Sequence, residues 1–305
     1  EIPIIAVGNL SVGGTGKTPH IEYLIRLLSN YKIATLSRGY KRKSEGFVLA
    51  DATTNAAILG DEPFQFYSKF PNVAVAVDAD RRNGIGQLQE KVNPDVILLD
   101  DAFQHRKVKA GFYILLTTFN DLFVDDYILP FGNLREPAFG KKRANLIIVT
   151  KCPPDLFELA QENIRKRLKT NLPVYFSTIV YDDFVYNENG KLEVNALESP
   201  KVILAGIANP SLFFNHLKKE QDTTLVFPDH HDFSEADILK IKNSANNQLI
   251  ITTEKDFMRL KGKIPSEQLY YLPIKTELLS QQDDFNVTLL NYVGKSSRNR
   301  SVHSK

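Results

Sequence analysis

Short apolar, β-branched runs recur along the first half of the chain: Ile4–Val7, Ile33–Leu36, Val73–Val77, Val96–Leu99, Tyr113–Leu116 and Leu146–Val149. Between several of them the apolar residues fall at helical spacing. Ile21, Leu24, Ile25 and Leu28 share one face, and Leu156 to Lys169 reads as a helix with a basic outer face at Arg165, Lys166, Arg167 and Lys169. Strands alternating with helices predict a parallel sheet covered on both faces.

The period changes near Val174. Val174–Val180 and Phe184–Tyr186 look extended, and Asn187-Glu188-Asn189-Gly190 is a turn signal. A second alternating set follows: strand Lys201–Ala205, helix Pro210–Lys219, strand Thr224–Phe227, helix Ser234–Ser244, strands Leu249–Thr252 and Tyr270–Ile274. The expected organisation is a nucleotide-binding unit over residues 1–173, a β connection over 174–198, a smaller α/β unit over 199–293 and a polar, disordered tail over 294–305.

The length of 305 residues suits about two domains. A net charge of +2 argues for no particular macromolecular partner, nucleic acid included. Cys152 is the sole cysteine, so no internal disulfide forms; beside Pro153 and Pro154 it reads as structural. No apolar run reaches the roughly 18 residues that span a bilayer. The chain starts at Glu1 and enters a strand at once, which leads us to expect an upstream segment.

The chemistry concentrates where strands end, the place ligands occupy in open α/β sheets. Ser11-Val12-Gly13-Gly14-Thr15-Gly16-Lys17-Thr18 lies between the first strand and the first helix. Small residues let backbone N–H groups converge on an anion, and the helix aims its positive end at the same point. In such a P-loop Lys17 reaches the β- and γ-phosphates and the Thr18 hydroxyl ligates Mg²⁺. Ser11 stands where the usual pattern has its first Gly.

Asp100 and Asp101 follow the strand Val96–Leu99, the position that holds Mg²⁺ in P-loop proteins, directly or through water. Gln104 and His105 either contact a sugar hydroxyl or phosphate, or cap a helix. Arg38 and Tyr40, with Lys41, Arg42 and Lys43, form a basic loop suited to an anionic substrate. Asp78-x-Asp80-Arg81-Arg82 offers charge at a third strand end. Asp61, with Glu62 beside it, opens a helix; on sequence alone a capping role outweighs that of a general base. In Thr253-Glu254-Lys255-Asp256, Thr253 reads as a helix cap. Adjacent His230 and His231 point apart, which disfavours a shared zinc. The apolar segment Leu122–Phe131 either packs in the core or meets acyl chains or a bilayer interface. A guanine switch is disfavoured: Thr150-Lys151-Cys152-Pro153 lacks the base-reading Asp, and Phe103 replaces the Gly of the switch motif. A P-loop ATPase or synthetase for a soluble metabolite and a non-enzymatic nucleotide switch both stay open on these residues.

Taken in order, Val7–Pro19, Leu36-Ser37-Arg38-Gly39-Tyr40, Gly60-Asp61-Glu62-Pro63, Asp100-Asp101-Ala102-Phe103-Gln104-His105, Leu129-Pro130, Leu134-Arg135-Glu136-Pro137, Phe227-x-Asp229-His230 and Thr253-Glu254-Lys255-Asp256 resemble the tetraacyldisaccharide 4'-kinases of lipid A synthesis. The resemblance implies a P-loop NTPase-like α/β fold with a mostly parallel sheet. It also implies transfer of the γ-phosphate of ATP to the 4'-hydroxyl of a tetraacylated glucosamine disaccharide 1-phosphate. Its setting would be the cytoplasmic face of a bacterial inner membrane, with an N-terminal hydrophobic anchor preceding Glu1. By position Asp61 matches the catalytic base and His230 the residue supporting it; Lys17, Thr18, Glu62, Asp100 and Asp101 match the ATP and Mg²⁺ machinery. Arg38, Tyr40, Arg81, Gln104, His105 and Arg135 fall in the segments expected to meet the acceptor.

Overall fold

The structure is a computed structural model that describes residues 2–208, 210–229 and 231–302, with side chains described as far as Lys295. His230 therefore lies outside the described residues. The chain forms two compact units, residues 1–180 with 276–305 and residues 181–275.

The first unit runs β1 (Ile4–Asn9), α1 (Lys17–Leu27), β2 (Ile33–Ser37), β3 (Val48–Leu49), α2 (Ala56–Leu59), α3 (Asp61–Lys69), β4 (Ala74–Val77), α4 (Arg81–Lys91), β5 (Val96–Asp100), β6 (Phe112–Thr118), β7 (Leu146–Thr150), α5 (Glu158–Leu168) and β8 (Val174–Tyr181). The second unit holds β9 (Phe184–Tyr186), β10 (Lys191–Glu193), β11 (Val202–Ala205), α6 (Ser211–Leu217), β12 (Thr223–Val226), α7 (Glu235–Ala245), β13 (Ile250–Thr253), α8 (Glu254–Leu260) and β14 (Leu269–Leu272). Then β15 (Ile274–Leu278) and α9 (Gln282–Val302) return to the first.

The large sheet has the order β15-β8-β7-β6-β1-β5-β2-β4-β3, and β8 through β4 run parallel. Its central strands are buried along their whole length, which is why they read as continuous apolar runs rather than alternating ones. β1 lies between β5 and β6, and Val7 pairs with Asp100. That register sets the glycine-rich loop and the aspartate pair side by side at the carboxyl edge.

The smaller sheet has the order β10-β9-β14-β13-β11-β12, with β9 and β10 an antiparallel hairpin at its edge. α7 starts in a reciprocal capping box, Ser234 with Asp237, and α8 starts at Thr253, whose side chain accepts from the Asp256 N–H as expected.

Two boundaries differ from the sequence expectation. β8 is not part of a connecting ribbon; it pairs in parallel with β7 inside the large sheet. The segment after Leu278 belongs to the first unit, not the second. α9 buries Phe285, Leu289 and Val293 in the core formed by α1 and the strands. Tyr23 Oη donates to Asn286 at 2.7 Å, and Tyr175 Oη donates to Asp284 at 2.7 Å. The expected disordered tail instead continues α9 as helix as far as Val302 beyond the docked positions; residues 303–305 lie outside the described residues.

Candidate functional site

The loop from Leu10 to Gly16 turns tightly enough to need glycine twice, with φ of 99° at Gly13 and 87° at Gly16. A Cβ built on Gly13 or Gly14 would meet nothing within 4 Å, so the concave side of the loop faces clear space. Beneath it, Thr150 Oγ1 donates to the Thr15 carbonyl at 2.8 Å. His20 Nδ1 donates to the Gly16 carbonyl at 2.7 Å, and its Nε2 accepts from Ser177 Oγ at 3.1 Å. Burial pushes His20 down to about 4, so it is the neutral ring that anchors the loop.

Lys17 begins α1 and sits 3.5 Å from Asp101 Oδ1. Arg135 grips the same carboxylate with both nitrogens, at 3.1 and 2.9 Å. Burial drives the Asp101 carboxyl upward, but Arg135 and Lys17 outweigh it and hold it below the usual range. Asp100, one residue earlier, has the opposite environment. It is 3% exposed, and burial, reinforced by Glu62, raises its carboxyl to about 7. Its Oδ2 accepts from Ser37 Oγ at 3.4 Å, while its Oδ1 finds no hydrogen-bond partner among the described residues.

Glu62 and Asp61 form the first turn of α3, whose cap is Gly60. Asp61 is thus inside the helix and does not cap it, which corrects the capping expectation. Gly60 approaches the basic loop so closely that a Cβ there would lie 3.0 Å from the Tyr40 carbonyl. This contact brings Asp61 and Glu62 to the edge of that loop. Arg81 is buried, donates to the Asp78 carbonyl at 2.8 Å, and is held down by burial while Asp100 and Asp101 act to raise it. Arg38 also acts on Arg81, so these charges share one neighbourhood.

Not every expected contact forms. Arg42 donates to the carbonyls of Gly46 at 2.6 Å and Val77 at 3.4 Å, so it braces the basic loop. Lys41 lies over the Tyr40 ring at 5.6 Å. Arg38, Tyr40 and Lys41 line an open groove of about 440 Å³. Gln104 and His105 sit on turns, so neither caps a helix. Gln104 Nε2 donates to the Asn9 carbonyl at 2.7 Å and to Glu136 at 3.0 Å. His105 is held below its ordinary range, by burial first and Arg81 next, and its Nε2 is buried with no partner among the described residues.

Sequence reasoning gave no role to Asn9 or Glu136. Asn9 is fully buried at the end of β1 and accepts from Lys17 at 3.4 Å and from Arg135. A polar residue closing an apolar strand was the available signal. Glu136 gathers Arg143 at 2.7 Å and Arg106 at 3.2 Å, fixing the segment that carries Arg135. Cys152 is buried and its thiol is pushed up to about 12, in keeping with the structural reading.

The donor set fits Mg²⁺ with ATP. Hard oxygens from Thr18, Asp100, Asp101 and Glu62 are the ligands that ion takes, and Asp100 Oδ1 is a buried acceptor still without a partner. Among the described residues no three His, Cys, Asp or Glu side chains form a metal cluster by themselves. Mg²⁺ is commonly held by one or two carboxylates plus substrate phosphates.

A sequence model of the family described as Tetraacyldisaccharide-1-P 4'-kinase matches residues 1–294. A Tetraacyldisaccharide 4'-kinase from Flavobacterium psychrophilum is 61% identical over 305 residues, covering 98% of this chain and 89% of that protein. One from Bacteroides fragilis is 45% identical over 331 residues, covering 99% and 87%. Among solved structures, the "apo" form of LpxK from Aquifex aeolicus in complex with ATP aligns with a TM-score of 0.79 at 30% identity, covering 96% of this chain and 89% of that one.

Proposed function

The chain belongs to the tetraacyldisaccharide 4'-kinase family, and from that premise we propose how its residues divide the work. The reaction moves the γ-phosphate of ATP to the 4'-hydroxyl of a tetraacylated glucosamine disaccharide 1-phosphate in lipid A biosynthesis. Membership sets aside the soluble-metabolite ATPase and the nucleotide switch.

Phosphoryl transfer needs positioning and charge neutralisation more than covalent help from the protein. Residues Ser11 to Thr18 cradle the phosphates with backbone N–H groups and the amino end of α1. Lys17 leaves Asp101 for the γ-phosphoryl oxygens, and Arg135 keeps Asp101 aimed and ionised. Thr18, Asp100, Asp101 and Glu62 would hold Mg²⁺, which supplies charge neutralisation between the β- and γ-phosphates when bound. Asp61 accepts the proton of the acceptor hydroxyl, and His230 supports it. Arg38 and Tyr40 present positive charge and a ring to the anionic sugar, buried Arg81 adds its charge from beneath, and Gln104 and His105 offer hydrogen bonds. The reaction is set at the cytoplasmic face of the inner membrane, where the acceptor's acyl chains reside.

The observation that carries this reading is the convergence of an open glycine loop, a P-loop lysine on an exchangeable ion pair, and a buried carboxylate oxygen with no hydrogen-bond partner among the described residues. The test is transfer of label from [γ-³²P]ATP to a tetraacylated disaccharide 1-phosphate. Asp61→Ala should lower kcat by roughly 10²–10⁴, the usual contribution of an acid–base group. Near-normal turnover of that variant removes Asp61 from the base role.

A further inference from the structure

Four of the five residues from Tyr127 to Phe131 are large and apolar and stand in water. Phe131 is 91% exposed, Tyr127 73%, Leu129 49% and Ile128 44%; the fifth is Pro130. Single exposed apolar residues are ordinary, but a run of them without one charge is a patch that something covers. Tyr127, Ile128 and Phe131 also wall a mostly apolar groove of about 380 Å³ with Leu134, Pro137 and Ala138, and Asp126 at its base is the one charged lining residue.

We propose that residues 127–131 are a bilayer-inserting apex that holds the glycine-rich loop at the membrane plane. This rests on the reading of the acceptor as a lipid. A molecule with four acyl chains stays in a bilayer, so the kinase must come to it.

The loop is built to enter an apolar medium. Three of its backbone bonds close within the loop: Leu134 N–H to Tyr127 O at 2.9 Å, Leu129 N–H to Leu134 O at 3.0 Å, and Phe131 N–H to Ile128 O at 3.0 Å. Unsatisfied backbone groups, the main cost of entering hydrocarbon, are thereby reduced. Asp126 ties the base together, accepting from the Tyr127 N–H at 2.8 Å and the Asn133 N–H at 3.1 Å. Gly132 is needed there, since a Cβ would fall 2.4 Å from the Tyr127 carbonyl oxygen and 2.7 Å from its nitrogen. The segment's other end is rooted by buried Leu122 and Phe123.

The apex is also coupled to the site. The Val12 N–H donates to the Asn133 carbonyl at 2.7 Å, and the Arg135 N–H donates to the Leu10 carbonyl at 2.7 Å. Val12 itself is 44% exposed and extends the apolar surface onto the loop that receives phosphate. The rival membrane face, the basic side of α5, is partly neutralised: Arg165 pairs with Glu158 at 2.9 Å and Arg167 with Asp125 at 2.6 Å. A Tyr beside an apolar tip is the composition of an interfacial anchor.

The chain contains no tryptophan, so Phe131→Trp gives a single fluorescent reporter. Mixed phosphatidylethanolamine and phosphatidylglycerol vesicles should shift its emission to the blue, and brominated acyl chains should quench it. Leu159→Trp, on exposed α5, should stay water-like. The double variant Tyr127→Ser with Phe131→Ser should lose about tenfold or more in vesicle partition. Its turnover on a detergent-dispersed acceptor should be unchanged. Water-like Phe131→Trp emission in the presence of vesicles overturns the proposal. So does a blue shift that grows with protein concentration without vesicles, which would make a second copy the occupant. Loss of detergent turnover in the double variant overturns it too, because the loop would then act on the site directly. Vesicle insertion through Phe131 without phosphorylation of any tetraacylated acceptor would keep the apex and remove the kinase reading instead.

Discussion

Lys17 in the first unit and Lys201 in the second are each held against an aspartate, and the two pairs are opposites. Lys201 Nζ lies 2.6 Å from Asp222, with the side chains 2% and 1% exposed. Asp222 is further fixed by the Lys201 and Lys219 N–H groups at 3.1 and 2.8 Å. Lys17 lies 3.5 Å from Asp101, with the side chains 16% and 36% exposed, and Asp101 keeps a second cation in Arg135. The first pair cannot separate without stranding a charge in a dry site. The second can, because Asp101 stays neutralised when Lys17 leaves and water reaches both partners. Exchangeability, rather than the presence of an ion pair, marks the functional lysine.

That distinction predicts opposite phenotypes. Lys201→Met should cost about 3–5 kcal/mol by leaving Asp222 buried and uncompensated. Chemical denaturation would read the loss, while nucleotide binding by the first unit should persist in the folded fraction. Restoring neutrality with Asp222→Asn in the same chain should recover part of the stability, because the amide removes the buried charge and its oxygen still accepts a backbone N–H. A Lys201→Met variant as stable as the parent would erase the contrast. Lys17→Met should do the reverse, cutting kcat by roughly 10²–10³, as loss of one preorganised transition-state donor does. Its melting temperature should be unchanged.

The sequence made the functional pair legible and hid the structural one. Gly13, Gly16, Lys17 and Thr18 form a local signature, and Asp100 and Asp101 end a strand whose apolar run is unmistakable. Lys201 and Asp222 lie apart in the sequence, and neither sits in a recognisable pattern. The same limit explains the misplaced boundaries. β8 is apolar whichever sheet it joins, and nothing local says that Val174 pairs with Ile147. α9 docks by three residues, Phe285, Leu289 and Val293, among polar neighbours and beside Gly294, so its local composition resembles a tail. Asn9 was invisible for a related reason: its role comes from Arg135 and Gln104, which reach it from distant segments. Local chemistry was readable; long-range closure was not.

A smaller effect separates the two adjacent carboxylates of the functional site. Burial and Glu62 raise Asp100 to about 7, so its protonated form favours the folded state. A raised folded value gives stabilisation that is complete below the ordinary carboxylate range near 3.8 and lost as pH climbs through about 7. Asp101 has the reverse sign, stabilising above the ordinary range and losing that contribution in acid. Without Mg²⁺ or nucleotide, this carboxyl should therefore lower the melting temperature as pH rises from the ordinary range near 3.8 to about 7, with the fall levelling off above that, and Asp100→Asn should flatten that slope. Turnover should move the opposite way, rising with pH as Asp100 ionises, if it holds Mg²⁺ as proposed. A parent protein with a flat melting profile between the ordinary carboxylate range and about 7 would count against the buried Asp100 carboxyl, whose Oδ1 has no hydrogen-bond partner among the described residues.

The last prediction concerns a side chain for which the contrast forecasts almost no effect. Cys152 is the only thiol, and it follows β7 within a few residues of the loop's anchor Thr150. Position alone would make it a candidate for inhibition by thiol reagents. Its environment is that of Lys201 rather than Lys17: it is 3% exposed, and burial raises it to about 12, so little thiolate forms at neutral pH. The native chain should resist maleimide at neutral pH, measured by intact mass, and keep its activity. Denaturant should expose the thiol to complete labelling. Rapid labelling of the folded chain would show that water reaches this end of β7, and dryness could then no longer separate structural groups from reactive ones.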